Sequence, residues 1–290
     1  MSQSWINALE PLRRLPDAIA EQGSIDQVVK PLKQVADGLA PSGSKASTVL
    51  SGAPIGHPLH PLLTDVVIGC FTSAVAIDLV GGRKRAKAAD RLIALGLLSA
   101  APTVASGLHD WATLDPDDQR VGAVHAAGNA VANLLFGASW LSRKRGRRMR
   151  GRALALTGLA VAAAAGYLGG DLSFRRGAGV DNTAFLEGPE DWTAVADESA
   201  LEEGKPIAVQ AGDMKVLLVR QDGTVAALAD RCAHKGGPLH EGEVADGCVT
   251  CPWHRSTFRL SDGSVVTGPT AHPQPTLQVR TVAGKIEVRR

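Results

Sequence analysis

Aromatic residues make up only 4% of this 290-residue chain, with a single tyrosine. Net charge is also slight. The 31 Lys and Arg nearly balance the 29 Asp and Glu, leaving a formal +2 that gives no case for a nucleic-acid partner. Cysteine is limited to Cys70, Cys232, Cys248 and Cys251, whose irregular spacing rules out the disulfide framework of a small secreted domain. No cleavable signal peptide is expected, because residues 1–20 are mixed polar and charged without a long apolar core.

Alanine and glycine are plentiful, which suits close helix–helix contact in a bilayer. The apolar residues concentrate between Pro61 and Leu172, in runs at Pro61–Val80, Leu92–Leu108, Val121–Leu141 and Ala153–Leu172. Each is near the roughly 20 residues needed to cross a hydrocarbon core about 30 Å thick. Four such runs with short polar connections predict a four-helix transmembrane domain, multi-pass in a cell membrane, with the lipid bilayer as its first partner. Cys70 falls inside the first run and reads as a small buried hydrophobe.

The connecting loops predict orientation. Arg83, Lys84, Arg85, Lys87 and Arg91 lie between runs one and two. Arg143, Lys144, Arg145, Arg147, Arg148, Arg150 and Arg152 lie between runs three and four. The middle loop instead holds Asp110, Asp115, Asp117 and Asp118 against Arg120. The positive-inside rule puts the two basic loops in the cytoplasm and both chain ends on the extracytoplasmic side, although Arg175 and Arg176 count against this. The Arg147-Arg148 pair fits either a twin-arginine export signal or a simple positive-inside anchor.

Four segments follow from these patterns: a lead-in at 1–50, the membrane domain at 51–176, a Gly-, Asn- and Pro-containing linker at 177–191, and a compact domain at 192–290. In the lead-in, Ile25, Val28, Val29, Leu32 and Val35 predict an amphipathic helix over Ser24–Leu39, interrupted near Pro31 and lying on the membrane or on the protein. In the last segment, Pro206–Gln210, Lys215–Arg220, Val225–Leu228, Leu277–Thr281 and Lys285–Val288 read as strands separated by Asp-Gly and Ala-Gly turns. The expected fold is therefore multidomain: an all-α four-helix transmembrane bundle followed by a small all-β domain.

Within that β domain stand C-A-H-K-G-G-P-L (Cys232–Leu239) and C-P-W-H-R-S-T-F (Cys251–Phe258). Each offers one thiolate and one imidazole on a loop, with sixteen residues between His234 and Cys251. Two thiolates suit one iron and two neutral imidazoles another. Exchanging two anionic ligands for imidazoles lowers the negative charge and lifts a cluster's potential to about −150 to +300 mV. A competing reading is zinc, held by Cys248 and Cys251 with Cys232 and one histidine, but this leaves a well-placed histidine idle. Cys248 otherwise reads as a core side chain on a strand, and His240 and His272 as loop residues.

The pattern C-x-H…C-x-x-H resembles the Rieske family across residues 192–290. Gly236, Leu239, Pro252, Phe258 and Gly268-Pro269 also fit that family's loops. The resemblance implies a [2Fe–2S] cluster with metal ligands Cys232, His234, Cys251 and His254, the cysteines inside and the histidines at the exposed edge. Gly237 and Trp253 stand where the respiratory members carry a disulfide. Ser256 matches their cluster-bonding serine, whereas Phe258 replaces their tyrosine donor. An intermediate potential is expected. Arg255 replaces a common glycine, which puts the loop in doubt if its turn needs φ > 0. A catalytic oxygenase subunit is not expected, because the 36 residues after His254 hold a single histidine, His272, too few for a second iron site.

The segment G-H-P-L-H-P (Gly56–Pro61), with Gly169–Leu172 and Gly179-Val180, resembles an uncharacterised four-helix membrane family. His57, His60, His109 and His125 all fall at the expected outer face, and Asp65, Asn129 and Asn133 add intramembrane polarity. Two of those histidines could ligate a haem b; a quinone site and plain interhelical hydrogen bonding are the alternatives. The expectation is a membrane-anchored carrier of single electrons between redox partner proteins, without a substrate site of its own. A quinol-oxidising subunit and a cluster-bearing sensor or structural subunit are the alternatives.

Overall fold

The computed structural model describes residues 10–290; residues 1–9 of the expected lead-in lie outside the described residues. Seven α-helices come first: α1 (Glu10–Ala20), α2 (Asp26–Leu39), α3 (Lys45–Ser51), α4 (Leu59–Val80), α5 (Ala86–Ala112), α6 (Pro116–Lys144) and α7 (Arg148–Gly170). Ten strands follow: β1 (Thr193–Asp197), β2 (Ile207–Ala211), β3 (Met214–Gln221), β4 (Thr224–Ala229), β5 (Glu243–Ala245), β6 (Cys248–Thr250), β7 (Thr257–Arg259), β8 (Val265–Thr267), β9 (Gln278–Val282) and β10 (Lys285–Arg289). The chain forms two compact units. One combines the described residues up to Gly38 with Leu59–Ala178, and the other combines Leu39–Pro58 with Gly179–Arg290. Residues 39–58, which the sequence divides between a lead-in and the membrane domain, thus fold with the β unit.

Helices α4 to α7 are long and apolar enough to cross a membrane, with mean hydropathy of 1.8, 1.5, 1.2 and 1.6 over their most apolar stretches. Only 22–28% of those stretches is buried within the protein, so their apolar side chains, Leu98 and Leu134 among them, mostly face outward. Such a surface is stable against lipid and not against water. The helix starts follow local rules: Pro61 falls in the first turn of α4, and Pro116 opens α6 ahead of Asp117 and Asp118. Inside, Phe71 stacks on Phe136 with ring centroids 3.7 Å apart, among Ala74, Ala89, Ile93 and Ala155. These alanines let the helices approach closely.

Both ends of this helical unit are tied by charge. At one, the fully buried Arg143 side chain pairs with Asp78 and lies 3.3 Å from Asp90; Arg148 reaches Asp90 at 2.8 Å and Arg152 reaches Asp78 at 3.5 Å. This cluster draws on all four long helices. At the other, Arg176 bonds Asp118 (2.9 Å) and Asp171 (3.0 Å), and Arg120 bonds Asp26 (2.7 Å). Helices α1 and α2 pack there too: Ala20 lies with Val121, Leu168 and Leu172, and Val29 and Ala36 with Trp111 and Ala112. Packing on the protein is thus the outcome for the amphipathic lead-in. Its helix runs unbroken through Pro31 rather than stopping there, because that residue is exposed and the carbonyl it leaves unbonded can face solvent.

In the β unit, three antiparallel sheets run in the orders β1-β10-β9, β2-β3-β4 and β5-β6-β7-β8. The five expected strands are present within a residue or two, and β1 and the three-residue strands β5 to β8 are additional. Two apolar clusters fill the unit. The second gathers Leu217, Leu228, Leu239, Val249, Phe258 and Leu260 around Cys232 and Cys251. Helix α3 forms by local capping: the Ser44 side chain accepts the Ser47 N–H, and Gly52 closes the helix in the left-handed region at φ +86°.

Candidate metal centre

The first Cys-His loop follows β4, and the second joins β6 to β7. They share one backbone plan. In the first, the Gly236 N–H donates to the Cys232 carbonyl (2.8 Å) and the Cys232 N–H to the Gly237 carbonyl (2.9 Å). In the second, the Arg255 N–H donates to the Cys251 carbonyl (3.1 Å) and the Cys251 N–H to the Ser256 carbonyl (2.8 Å). The fourth residue after each cysteine sits in the left-handed region, Gly236 at φ +75° and Arg255 at φ +62°. The turn therefore does need a positive φ, and Arg255 adopts it at a cost of about 1–2 kcal/mol for a side-chain-bearing residue.

This plan aims the loops' amides at sulfur. The N–H groups of His234 and Lys235 face the Cys232 thiol, and those of Trp253 and His254 face the Cys251 thiol. The two thiols hydrogen-bond each other. That contact, with burial, pushes the Cys232 thiol well above the usual thiol range. The same contact and the two amides bring Cys251 down to about 7, against the opposing effect of burial. Both sulfurs are buried, at 1% and 2% exposure, whereas the imidazoles are half-buried. The His234 and His254 rings meet edge-on with centroids 5.0 Å apart. Two paired thiols inside and two paired imidazoles outside are donors of the kinds a two-iron cluster with Cys on one iron and His on the other would take.

Among the described residues, no three His, Cys, Asp or Glu side chains group around a single-ion position. Cys248, which the zinc reading needs, sits half-buried on β6 with its thiol 3.6 Å from the Asp246 carbonyl; it is not a core side chain, because β6 turns it to the outer side of the small sheet. A Cβ built on Gly237 would lie 3.0 Å from the Trp253 ring and from the Cys251 sulfur, so the two positions that lack a disulfide do face each other. Trp253 is 57% exposed beside the ligand loop.

Several supports are silent in the sequence. Asn182 donates from its side chain to the His234 carbonyl (2.7 Å) and from its backbone to the Ala233 carbonyl (2.9 Å), so the expected linker grips the first loop. Buried Gln274 donates to the Ala229 (2.7 Å) and Arg231 (2.8 Å) carbonyls and accepts the Ala233 N–H (3.0 Å). His240, expected to be a loop residue, is bonded through Nδ1 to the buried carboxylate of Asp230 (2.8 Å). His272 is half-buried in the loop after β8. An amide in a polar linker carries no periodic signal, which is why Asn182 escapes a reading of pattern.

The other four histidines divide between the units. His57 is exposed on the β unit, with Nδ1 2.9 Å from the Pro58 carbonyl. In the helical unit, His60 bonds through Nδ1 to the Thr103 carbonyl of α5 (2.9 Å), and His125 to the Ala165 carbonyl of α7 (2.8 Å). Asn129 also places its amide 3.2 Å from Nε2 of His125, which occupies that ring's second nitrogen. His109 is buried in α5. His60 and His125 thus serve as interhelical hydrogen-bonding groups, the role expected of polar residues inside a bundle.

Residues 191–281 match the Rieske [2Fe-2S] domain family, and residues 56–182 match a family described as predicted membrane protein (DUF2231). Human apoptosis-inducing factor 3 is 38% identical over 96 residues, covering 33% of this chain but only 16% of that protein. The anthranilate 1,2-dioxygenase ferredoxin subunit of Burkholderia cepacia is 31% identical over 98 residues, covering 34% of this chain and 91% of the ferredoxin. The cytochrome b6-f complex iron-sulfur subunit of Chlorobaculum tepidum is 33% identical over 95 residues, covering 33% of this chain and 51% of that subunit.

Proposed function

Because the chain belongs to the Rieske [2Fe–2S] domain family, we propose that it is a membrane-anchored carrier of single electrons, its cluster held by Cys232, His234, Cys251 and His254. The observation that supports this most is the matched pair of loops, with buried sulfurs and half-buried imidazoles 5.0 Å apart. When bound, the cluster supplies one-electron chemistry at a potential set by its ligands and hydrogen bonds. The chain supplies the rest. Backbone amides at His234, Lys235, Trp253 and His254 stabilise negative charge on the two sulfurs. The half-buried imidazoles form the edge through which electrons pass to redox partner proteins, and exposed Trp253 lies beside that edge. The similarity to a dioxygenase ferredoxin subunit supports a carrier without a substrate site of its own. Gly237 and Trp253, in place of a disulfide, favour this over quinol oxidation.

On the same reading, the basic loops at 81–91 and 143–152 face the cytoplasm and the cluster unit faces outward. Electron paramagnetic resonance of the dithionite-reduced, full-length protein tests the cluster assignment. A rhombic Rieske signal is expected, and it should disappear in His234→Cys and His254→Cys. An iron-containing protein that keeps this signal in either variant would refute the ligand set.

A further inference from the structure

We propose that α3, which lies outside both matched family segments, is a positioning element of the cluster site. Its polar face holds the loop at 268–270 and, through it, the orientation of Ser256. The inference rests on the cluster reading above and concerns a helix that neither family match contains.

Helix α3 buries an unusual face. Ser47 and Ser51 are 0% and 2% exposed, Thr48 is half-buried, and the apolar Val49 points outward. Burying hydroxyls is costly unless each finds a partner, so the face is informative. The Thr48 hydroxyl donates to the Ser44 carbonyl (2.9 Å), which leaves its lone pairs to accept the Gly268 N–H (3.1 Å). Position 268 requires glycine for this approach, because a Cβ there would lie 2.6 Å from the Ser51 hydroxyl. Two residues on, the Thr270 N–H donates to the Ser256 hydroxyl (3.3 Å). Ser256 is completely buried, and its own carbonyl accepts the Cys251 N–H (2.8 Å). With Thr270 occupying a lone pair, the Ser256 hydroxyl hydrogen is left to donate elsewhere. A donor beside a cluster sulfur raises the reduction potential. Ahead of α3, Gly43 sits against Arg255, where a Cβ would be 3.3 Å from the Arg255 side chain, so the same segment also braces the second ligand loop.

A helix that merely covers the domain would affect stability. One that positions Ser256 affects the potential, and does so only through Ser256. Redox titration of the full-length protein, followed by the amplitude of the reduced-cluster resonance, distinguishes these. Thr48→Val should retain iron and the rhombic signal but shift the midpoint potential downward, and Thr48→Ser should restore it. Gly268→Ala, whose added Cβ would press on Ser51 and push α3 away from the loop, should shift it in the same direction. Ser256→Ala should also lower the potential, and Thr48→Val should then add nothing further, since both act on one donor. An unchanged potential in Thr48→Val and Gly268→Ala, or a full additional shift in the Thr48→Val, Ser256→Ala double variant, overturns the inference while leaving the cluster assignment intact. A wild-type protein with no cluster resonance overturns the assignment and the inference together.

Discussion

Arg255 shows how a functional loop can hold a residue that its backbone disfavours. The two ligand loops repeat the same pair of hydrogen bonds around each cysteine, and that geometry needs a left-handed residue four places on. The first loop meets the demand with Gly236; the second holds Arg255 there, next to His254. Relief of the strain predicts that Arg255→Gly is more stable than Arg255→Ala by about 1 kcal/mol, since alanine keeps the Cβ that makes φ +62° unfavourable. Chemical denaturation of the two variants with the cluster loaded measures the difference, and equal midpoints would show that the turn carries no strain. The four proposed ligands were legible because their chemistry demands particular residue types at particular spacing. Asn182 and Gln274 were not: each acts through amide hydrogen bonds to backbone, which leave no mark on the local pattern.

At the scale of elements, hydropathy located the four long helices but not what fastens them. Their polar ends reach well beyond the apolar runs, and there Arg143 lies fully buried between Asp78 and Asp90. From the sequence, Arg143 reads as one of seven positive charges in a loop. In the fold, Arg143, Arg148 and Arg152 are engaged with aspartates of α4 and α5. Removing one partner from a buried ion pair costs about 3–5 kcal/mol, because the other charge stays buried without compensation. Arg143→Leu should therefore unfold the bundle in mild detergent at clearly lower temperature. The Arg143→Leu, Asp78→Leu pair should recover part of the loss, and calorimetry or thermal scanning reads both. No recovery in the double variant would argue against the pairing. Helix α3 was missed for a related reason: its buried face is Ser47, Thr48 and Ser51, and apolar periodicity cannot reveal a hydroxyl-lined contact.

For the whole molecule, the composition of the β unit constrains topology independently of loop charge. Residues 39–58 precede the first long helix and residues 179–290 follow the last, yet they fold as one unit. Two segments that pack together must lie on the same side of a membrane, so the chain between them crosses an even number of times, as four spanning helices do. Which side that is rests on the basic loops. Their excess survives the ion pairing, because Lys144, Arg145, Arg147 and Arg150 stay exposed around the turn from α6 to α7. The proposed orientation, with this loop in the cytoplasm and the cluster unit outside, follows from the positive-inside rule. Protease added to sealed, right-side-out vesicles should remove the cluster unit and spare the 143–152 loop until detergent is added. The opposite pattern, with the β unit protected and the basic loop cut, would invert the orientation while keeping the even number of crossings. Cleavage of residues 39–58 on one side and of the β strands on the other would be incompatible with the fold itself.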